Sequence, residues 1–242
     1  MKKKHKNNNK KSDSSYWLYG RHSCVAAMSN EKRVVRRVIA TKNIAVELEN
    51  EPYEIELKDS FYISSILPEG AVHQGIACLV EPIADMRLKD IYDEKIVVIL
   101  DQVTDPHNIG AIIRSSAAFG AGAVILPKNN APDETATMAK SASGALELMP
   151  MVKIGNLASA IDELKESGFW VIGLDGYADK NLHELDRFDK VALVCGAEGK
   201  GMRKLTKEKC DLTAKLPMSD KVESLNVSNA AAVALYELCS KS

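Results

Sequence analysis

No stretch of this 242-residue chain is long and apolar enough to cross a membrane. Its longest apolar runs, such as Ile96 to Leu100 and Ala230 to Leu235, fall far short of the ~20 residues a spanning helix needs. Cysteine is scarce and unpatterned, with five residues at 24, 78, 195, 210 and 239 and no C-x-x-C pair. An odd, scattered set reads as reduced thiols and excludes a disulfide framework or a zinc ribbon, so the expected compartment is the cytoplasm. No His, Asp and Glu cluster at ligand spacing is visible, so no metal is expected. No internal repeat is found. Strong net charge is also missing, at −1 overall, but the balance is uneven. Residues 1–15, "MKKKHKNNNKKSDSS", hold six Lys and one Asp, which leaves the rest of the chain acidic. No apolar segment follows this stretch and it contains no Arg, which argues against a secretory signal or a transit peptide. It reads as a disordered basic tail, either a solubilising extension or a contact for a polyanion.

What is present is an ordinary globular composition, 45 % apolar and 27 % charged, enough for a sizeable core. Residues 16–83 read as a small α/β unit. "GRHSCVAAMSN" suits a helix, "RRVIAT" a strand, "VELEN" a short helix, "YEIEL" a strand, "SFYISSIL" a helix and "HQGIACLVEP" a closing strand. Residues 84–94 form a polar linker. From 95 to 242 apolar runs alternate with helical segments. The runs are "KIVVILD", "GAVILP", "LMPMVKI", "FWVIGLD", "VALVCG" and "LTAKLPM"; the helices are expected at about 108–119, 134–145, 156–167, 202–209 and 225–240. Continuous Val/Ile/Leu strands separated by helices predict a mostly parallel sheet buried on both faces.

Ligands of such sheets gather at the carboxyl ends of the strands. Three loops there carry unusual residues. "LDQVTDPHNIGAIIR" places Arg114 among small residues, off the Ile109/Ile113 stripe, six positions after Asn108. "VCGAEGKGM" sets Glu198 among Gly196, Gly199 and Gly201, in a loop that is neither a Walker A motif nor a dinucleotide turn. "LPMSDKVESLNVSNAAAVALYEL" opens a helix with Glu223, Ser224, Asn226 and Ser228, more polar groups than capping requires. Taken singly, each has an ordinary reading: a solvated Arg, a helix-capping Asn, a tight glycine turn.

Taken together, N-x5-R, then G-x-E-G-x-G, then P-M-x4-E-S-L-N-V-S resembles the SpoU branch of the SPOUT RNA ribose methyltransferases. "DPHNIGAIIRSSAAFGAGAVILPKNNAP", "SASGALELMPMVKIGNL" and "GAEGKGM" are similar to the subgroup that methylates a guanosine 2′-hydroxyl in 23S ribosomal RNA. "YGRHSCVAAM" and "HQGIACLVEP" resemble the ends of that subgroup's L30e-like RNA-binding domain. The likeness runs from about residue 17 to 240. It implies an α/β SPOUT domain with a deep trefoil knot in place of the open sheet that pattern alone suggests, and a homodimer packed through small residues near Ala111, Ala118 and Ala230.

The resemblance also implies S-adenosyl-L-methionine as methyl donor, held mainly by backbone groups at Gly196, Leu216 and Leu225, with Met218 nearby. Arg114 would activate the ribose hydroxyl, with Asn108, Glu198, Ser224 and Asn226 as the other polar site residues. Arg21, His22, Arg33, Arg36 and Arg37 are candidates for phosphate contacts or for plain surface charge. Two positions depart from the subgroup's pattern. Asp220 stands where a small residue is usual, and Asn229 where an apolar one is. Asp220 leaves room for a catalytically silent RNA-binding or ribosome-assembly protein; transfer RNA is the alternative substrate for the same chemistry.

Overall fold

The computed structural model describes residues 14–129, 131–219 and 221–240. Most of the expected basic tail, together with Asp220, lies outside the described residues. The N-terminal unit comprises β1 (Tyr16–Tyr19), α1 (Arg21–Ser29), β2 (Val35–Ala40), α2 (Lys42–Glu47), β3 (Ile55–Leu57), α3 (Ser60–Ser65) and β4 (Ile76–Val80). Its sheet runs β1-β4-β2-β3, with β4 antiparallel to both β1 and β2, and β2 parallel to β3. The sequence reading missed β1. "YWLY" is four residues long, too short to show the two-residue alternation of a strand.

The C-terminal unit comprises β5 (Ile96–Asp101), α4 (Pro106–Ala118), β6 (Ala123–Pro127), α5 (Ala136–Ala142), β7 (Met151–Ile154), α6 (Leu157–Glu166), β8 (Trp170–Leu174), β9 (Val191–Gly196), α7 (Lys204–Lys209), β10 (Leu212–Ala214) and α8 (Val227–Ser240). Its six strands run β10-β8-β9-β5-β6-β7, and every pairing is parallel. Alternation along the central strands divides the core. Val98, Leu100, Val124 and Leu193 face one apolar cluster, while Val97, Ile99, Ile125 and Val194 face the other. Burying both faces is why these strands read as unbroken aliphatic runs.

Helix α4 starts two residues earlier than the sequence suggests. Asp105 is its cap, accepting from the His107 N–H at 2.9 Å, and Pro106 supplies a fixed φ at the first helical position. Asn108 is therefore not the cap, and its side chain is free for other contacts. Ile109, Ile112 and Ile113 are fully buried. Gly110 lets α4 and α5 touch: a Cβ there would stand 2.3 Å from the Met138 carbonyl oxygen.

The segment 84–94 is not a free linker. Ile91 is buried, Met86, Leu88 and Tyr92 pack under the C-terminal sheet, and the Met86 N–H donates to the Met151 carbonyl at 2.8 Å. The N-terminal unit is also docked directly. One apolar cluster runs continuously from Leu18, Cys24 and Ala27 through Met138, Ala142 and Leu146 to Leu235. At its edge lies Arg33, whose side chain is wholly buried. Arg33 donates to Glu134 at 2.5 Å, to Glu147 at 2.6 Å and to the Glu81 carbonyl at 2.7 Å. The Tyr16 hydroxyl donates to Glu134 and the Asn30 amide to Glu147. Burial and the Glu134 charge push the Tyr16 phenol well above its ordinary range. Arg33 is thus no phosphate contact: all three of its guanidinium nitrogens donate to internal acceptors, because a buried guanidinium must be compensated.

Candidate active site

The loops at the carboxyl ends of β5, β9 and β10 converge, and one side chain joins them. Asn226, immediately before α8, donates through Nδ2 to Asn108 Oδ1 at 3.0 Å and to Glu198 Oε2 at 3.4 Å. Its Oδ1 accepts from the Ser228 N–H at 2.9 Å and from the Ser228 hydroxyl at 2.6 Å. One amide therefore caps α8 with its oxygen and ties together two distant loops with its nitrogen. The polar run before this helix, excessive for capping alone, has this second use.

Glu198 sits on a tight hairpin. Gly201 N–H donates to the Ala197 carbonyl at 2.7 Å and Ala197 N–H to the Gly201 carbonyl at 3.1 Å. The returning limb crosses directly over Gly196, where a Cβ would lie 2.2 Å from the Gly201 carbonyl carbon. Only glycine fits beneath that crossing.

Beside the hairpin opens a hollow of about 620 Å³, within the size range of small-molecule sites. Gly196, Leu216, Met218 and Leu225, the four expected donor contacts, all line it, as do Glu198 and Ser224. Ser224 is exposed at the rim. The floor includes Cys195, whose thiol is pushed up to about 12 by burial and so stays protonated at neutral pH. Leu174, at the end of β8, with Asp175 and Tyr177 in the loop after it, forms a wall the sequence reading did not assign. That loop also ends a parallel strand, so the same rule about strand ends would have found it. Burial opposes ionisation of Asp175, but the Lys207 ammonium and the Tyr177 N–H overcome it and hold the carboxyl below its usual range. No group of three or more His, Cys, Asp or Glu among the described residues could hold a metal.

Arg114 does not line the hollow. It is exposed on α4, six residues beyond Asn108, and its side chain has no ion pair or hydrogen bond among the described residues. Asn229 is exposed on α8. The remaining phosphate candidates lie on the N-terminal unit. His22 is exposed, Arg21 pairs with Glu47, Arg36 with Glu81 at 2.6 Å and Arg37 with Glu56 at 2.8 Å.

Comparison with known proteins places this geometry. Residues 95–236 match the model of the SpoU rRNA Methylase family. The 23S rRNA (guanosine-2′-O-)-methyltransferase RlmB of Escherichia coli K12 is 37 % identical over 237 residues, covering 92 % of this chain and 97 % of its own. RlmB of Pseudomonas aeruginosa is 45 % identical over 174 residues, 69 % of this chain and 70 % of its own. An uncharacterized tRNA/rRNA methyltransferase of Synechocystis is 36 % identical over 240 residues, and the match covers 91 % of this chain and 61 % of that protein's length. Among solved structures, the SpoU methyltransferase AviRb from Streptomyces viridochromogenes, in complex with AdoMet, superposes with a TM-score of 0.80 at 25 % identity over 94 % of this chain and 90 % of its own.

Proposed function

Because this chain belongs to the SpoU rRNA Methylase family, we propose that it transfers a methyl group from S-adenosylmethionine to the ribose 2′-hydroxyl of a guanosine in 23S ribosomal RNA. The observation that carries this reading is the Asn226 junction, which ties the Glu198 hairpin and the first turn of α4 to the segment whose Ser224 and Leu225 line the hollow. The hollow suits the donor. Leu216, Met218 and Leu225 offer apolar surface to a flat heteroaromatic ring, and the carboxylates of Glu198 and Glu223 offer negative charge to a sulfonium and an ammonium. When bound, the donor supplies an activated electrophilic methyl, so the chemistry left to the protein concerns the acceptor.

A ribose hydroxyl is a weak nucleophile near neutral pH, and negative charge grows on its oxygen as it attacks. Arg114 answers that need as a cation. A guanidinium stays protonated in proteins, so electrostatic stabilisation of the nascent alkoxide is its role and the hydroxyl proton passes to solvent. With no side-chain partner among the described residues, Arg114 has its fork available for ribose and phosphate oxygens. Asn108 and Asn226 keep the acceptor side and the donor side in register, Glu198 supports Asn226, and Ser224 offers a hydroxyl at the rim.

The N-terminal unit serves as an L30e-like RNA-binding domain, with Arg21, His22, Arg36 and Arg37 toward the phosphates. The C-terminal segment is threaded through a loop as a deep trefoil knot, as the resemblance to the SpoU branch implies. A homodimer forms through α4 and α8, where Ala118, Val233 and Tyr236 are exposed, and Arg114 stands beside that surface. Sedimentation at equilibrium checks the dimer. The function is tested by incubating 23S rRNA and bulk tRNA with methyl-labelled donor and mapping alkali-resistant linkages. One 2′-O-methylguanosine in 23S rRNA is expected. Label in tRNA alone would move the substrate, and failure of the protein to bind donor would favour a silent RNA-binding scaffold.

A further inference from the structure

A second junction lies behind the first. Asp101, the last residue of β5, is a fully buried carboxylate. Its Oδ1 accepts from Arg203 Nε and Nη2, both at 2.7 Å, and its Oδ2 accepts from the Arg203 backbone N–H at 2.8 Å. Next to it, Gln102 adopts a left-handed backbone, φ 63°, and donates through Nε2 to the Gly201 carbonyl at 3.3 Å. Arg203 follows the glycine hairpin by two residues. The end of β5 therefore grips the return limb of that hairpin at two points, while Asn226 holds its tip through Glu198. Asp101 is also paired with Gly196 at the end of the central strand pair β5/β9, which places it beneath the hairpin. An acidic side chain is sealed under a loop only where several donors satisfy it, and all three of its donors come from the residue that ends this loop.

We infer that Asp101 and Arg203 are positioning residues for the proposed reaction: they hold the 197–201 hairpin against β5, so that the Glu198 loop and the Asn108 segment are pre-set before the donor arrives. The inference rests on the methyltransferase reading for its purpose, but not for its structural content. It explains why β5 turns at Gln102 through a conformation that side chains rarely adopt. That turn keeps the Asp101 carboxylate and the Gln102 amide on the hairpin side while the chain departs toward Asn108. Pre-organisation of this kind lowers the ordering cost of binding. The pair is accordingly expected to act on donor affinity and on turnover, not on RNA affinity.

Two experiments test it. The first is hydrogen exchange on the wild-type protein without donor. The amides of Gly201 and Arg203 are expected to be strongly protected, as those of the exposed turn 221–225 are not. Rapid exchange at both, with protection only after donor is added, would overturn the inference while leaving the methyltransferase reading intact. The second compares Asp101→Asn and Arg203→Lys with wild type by calorimetry and steady-state kinetics. Arg203→Lys keeps a cation beside the buried carboxylate and keeps the backbone N–H, so it is the variant suited to retain the fold. Its dissociation constant for S-adenosylmethionine should rise about tenfold and kcat should fall, with the KM for RNA unchanged. A lowered melting midpoint with wild-type donor affinity and kcat would show a purely structural pair and overturn the proposal. Wild-type protein that binds no donor would instead refute the function, with the exchange result still deciding the hairpin.

Discussion

Arg33 and Arg114 carry the same guanidinium and meet opposite fates. Arg33 has no exposed side-chain surface and spends its donors on Glu134, Glu147 and the Glu81 carbonyl. Arg114 is exposed on an otherwise small and apolar helix, with no partner among the described residues. The first seals the seam between the two units; the second stands exposed on α4. Residue type alone could not separate them, since the same side chain serves both as a buried cation and as an exposed one. What separates them is whether carboxylates remote in sequence arrive beside them.

Removing the sealed arginine should be the costlier change for stability. Arg33→Ala leaves Glu134 and Glu147 buried without their cation and should cost ~3–5 kcal/mol, read as a loss in denaturant midpoint. If the same substitution cost no more than a surface pair does, the seam would not depend on this cluster. Gly110→Ala comes next. Its methyl would press on the Met138 carbonyl, and forcing α4 from α5 should cost ~1–3 kcal/mol. Because Asn108 lies on the same helix, a weakened donor affinity should accompany the lost stability. The smallest effect belongs to His73. Its Nδ1 accepts from the Gly75 N–H at 3.0 Å, so Nε2 carries the proton and meets the Ser64 hydroxyl at 3.1 Å. Burial, helped by the Lys140 ammonium, holds this imidazole below its usual range. The folded state thus favours the neutral ring. The associated stability is present above the unfolded value of ~6.5 and is lost as pH falls through the lower folded value. Thermal melts at falling pH should show a small acid loss of stability that His73→Asn removes.

The periodic parts of the structure were legible in the sequence because periodicity is local. Aliphatic runs at 96–101 and 191–196 predict doubly buried strands, and the strands form over those residues. The three loops were legible because strand ends collect ligands and their residues are poor choices for ordinary turns. Pairings were not legible. Asn226 meets Asn108 across 118 residues of chain, and Arg33 meets Glu147 across 114. No spacing rule reports such distances. Hence Arg33 could be mistaken for a surface cation, Asn108 for a cap and Asp101 for an unremarkable strand end. The short strand β1 escaped for a different reason: four residues are too few to show a period.

The central claim is that the unpaired guanidinium does chemistry and nothing structural. Single-turnover methyl transfer to 23S rRNA by Arg114→Ala, at saturating donor, tests it most directly. The expected result is a rate reduced by ~10²–10³ with wild-type donor affinity and melting midpoint. Transfer at the wild-type rate, or a loss explained by unfolding, would contradict it.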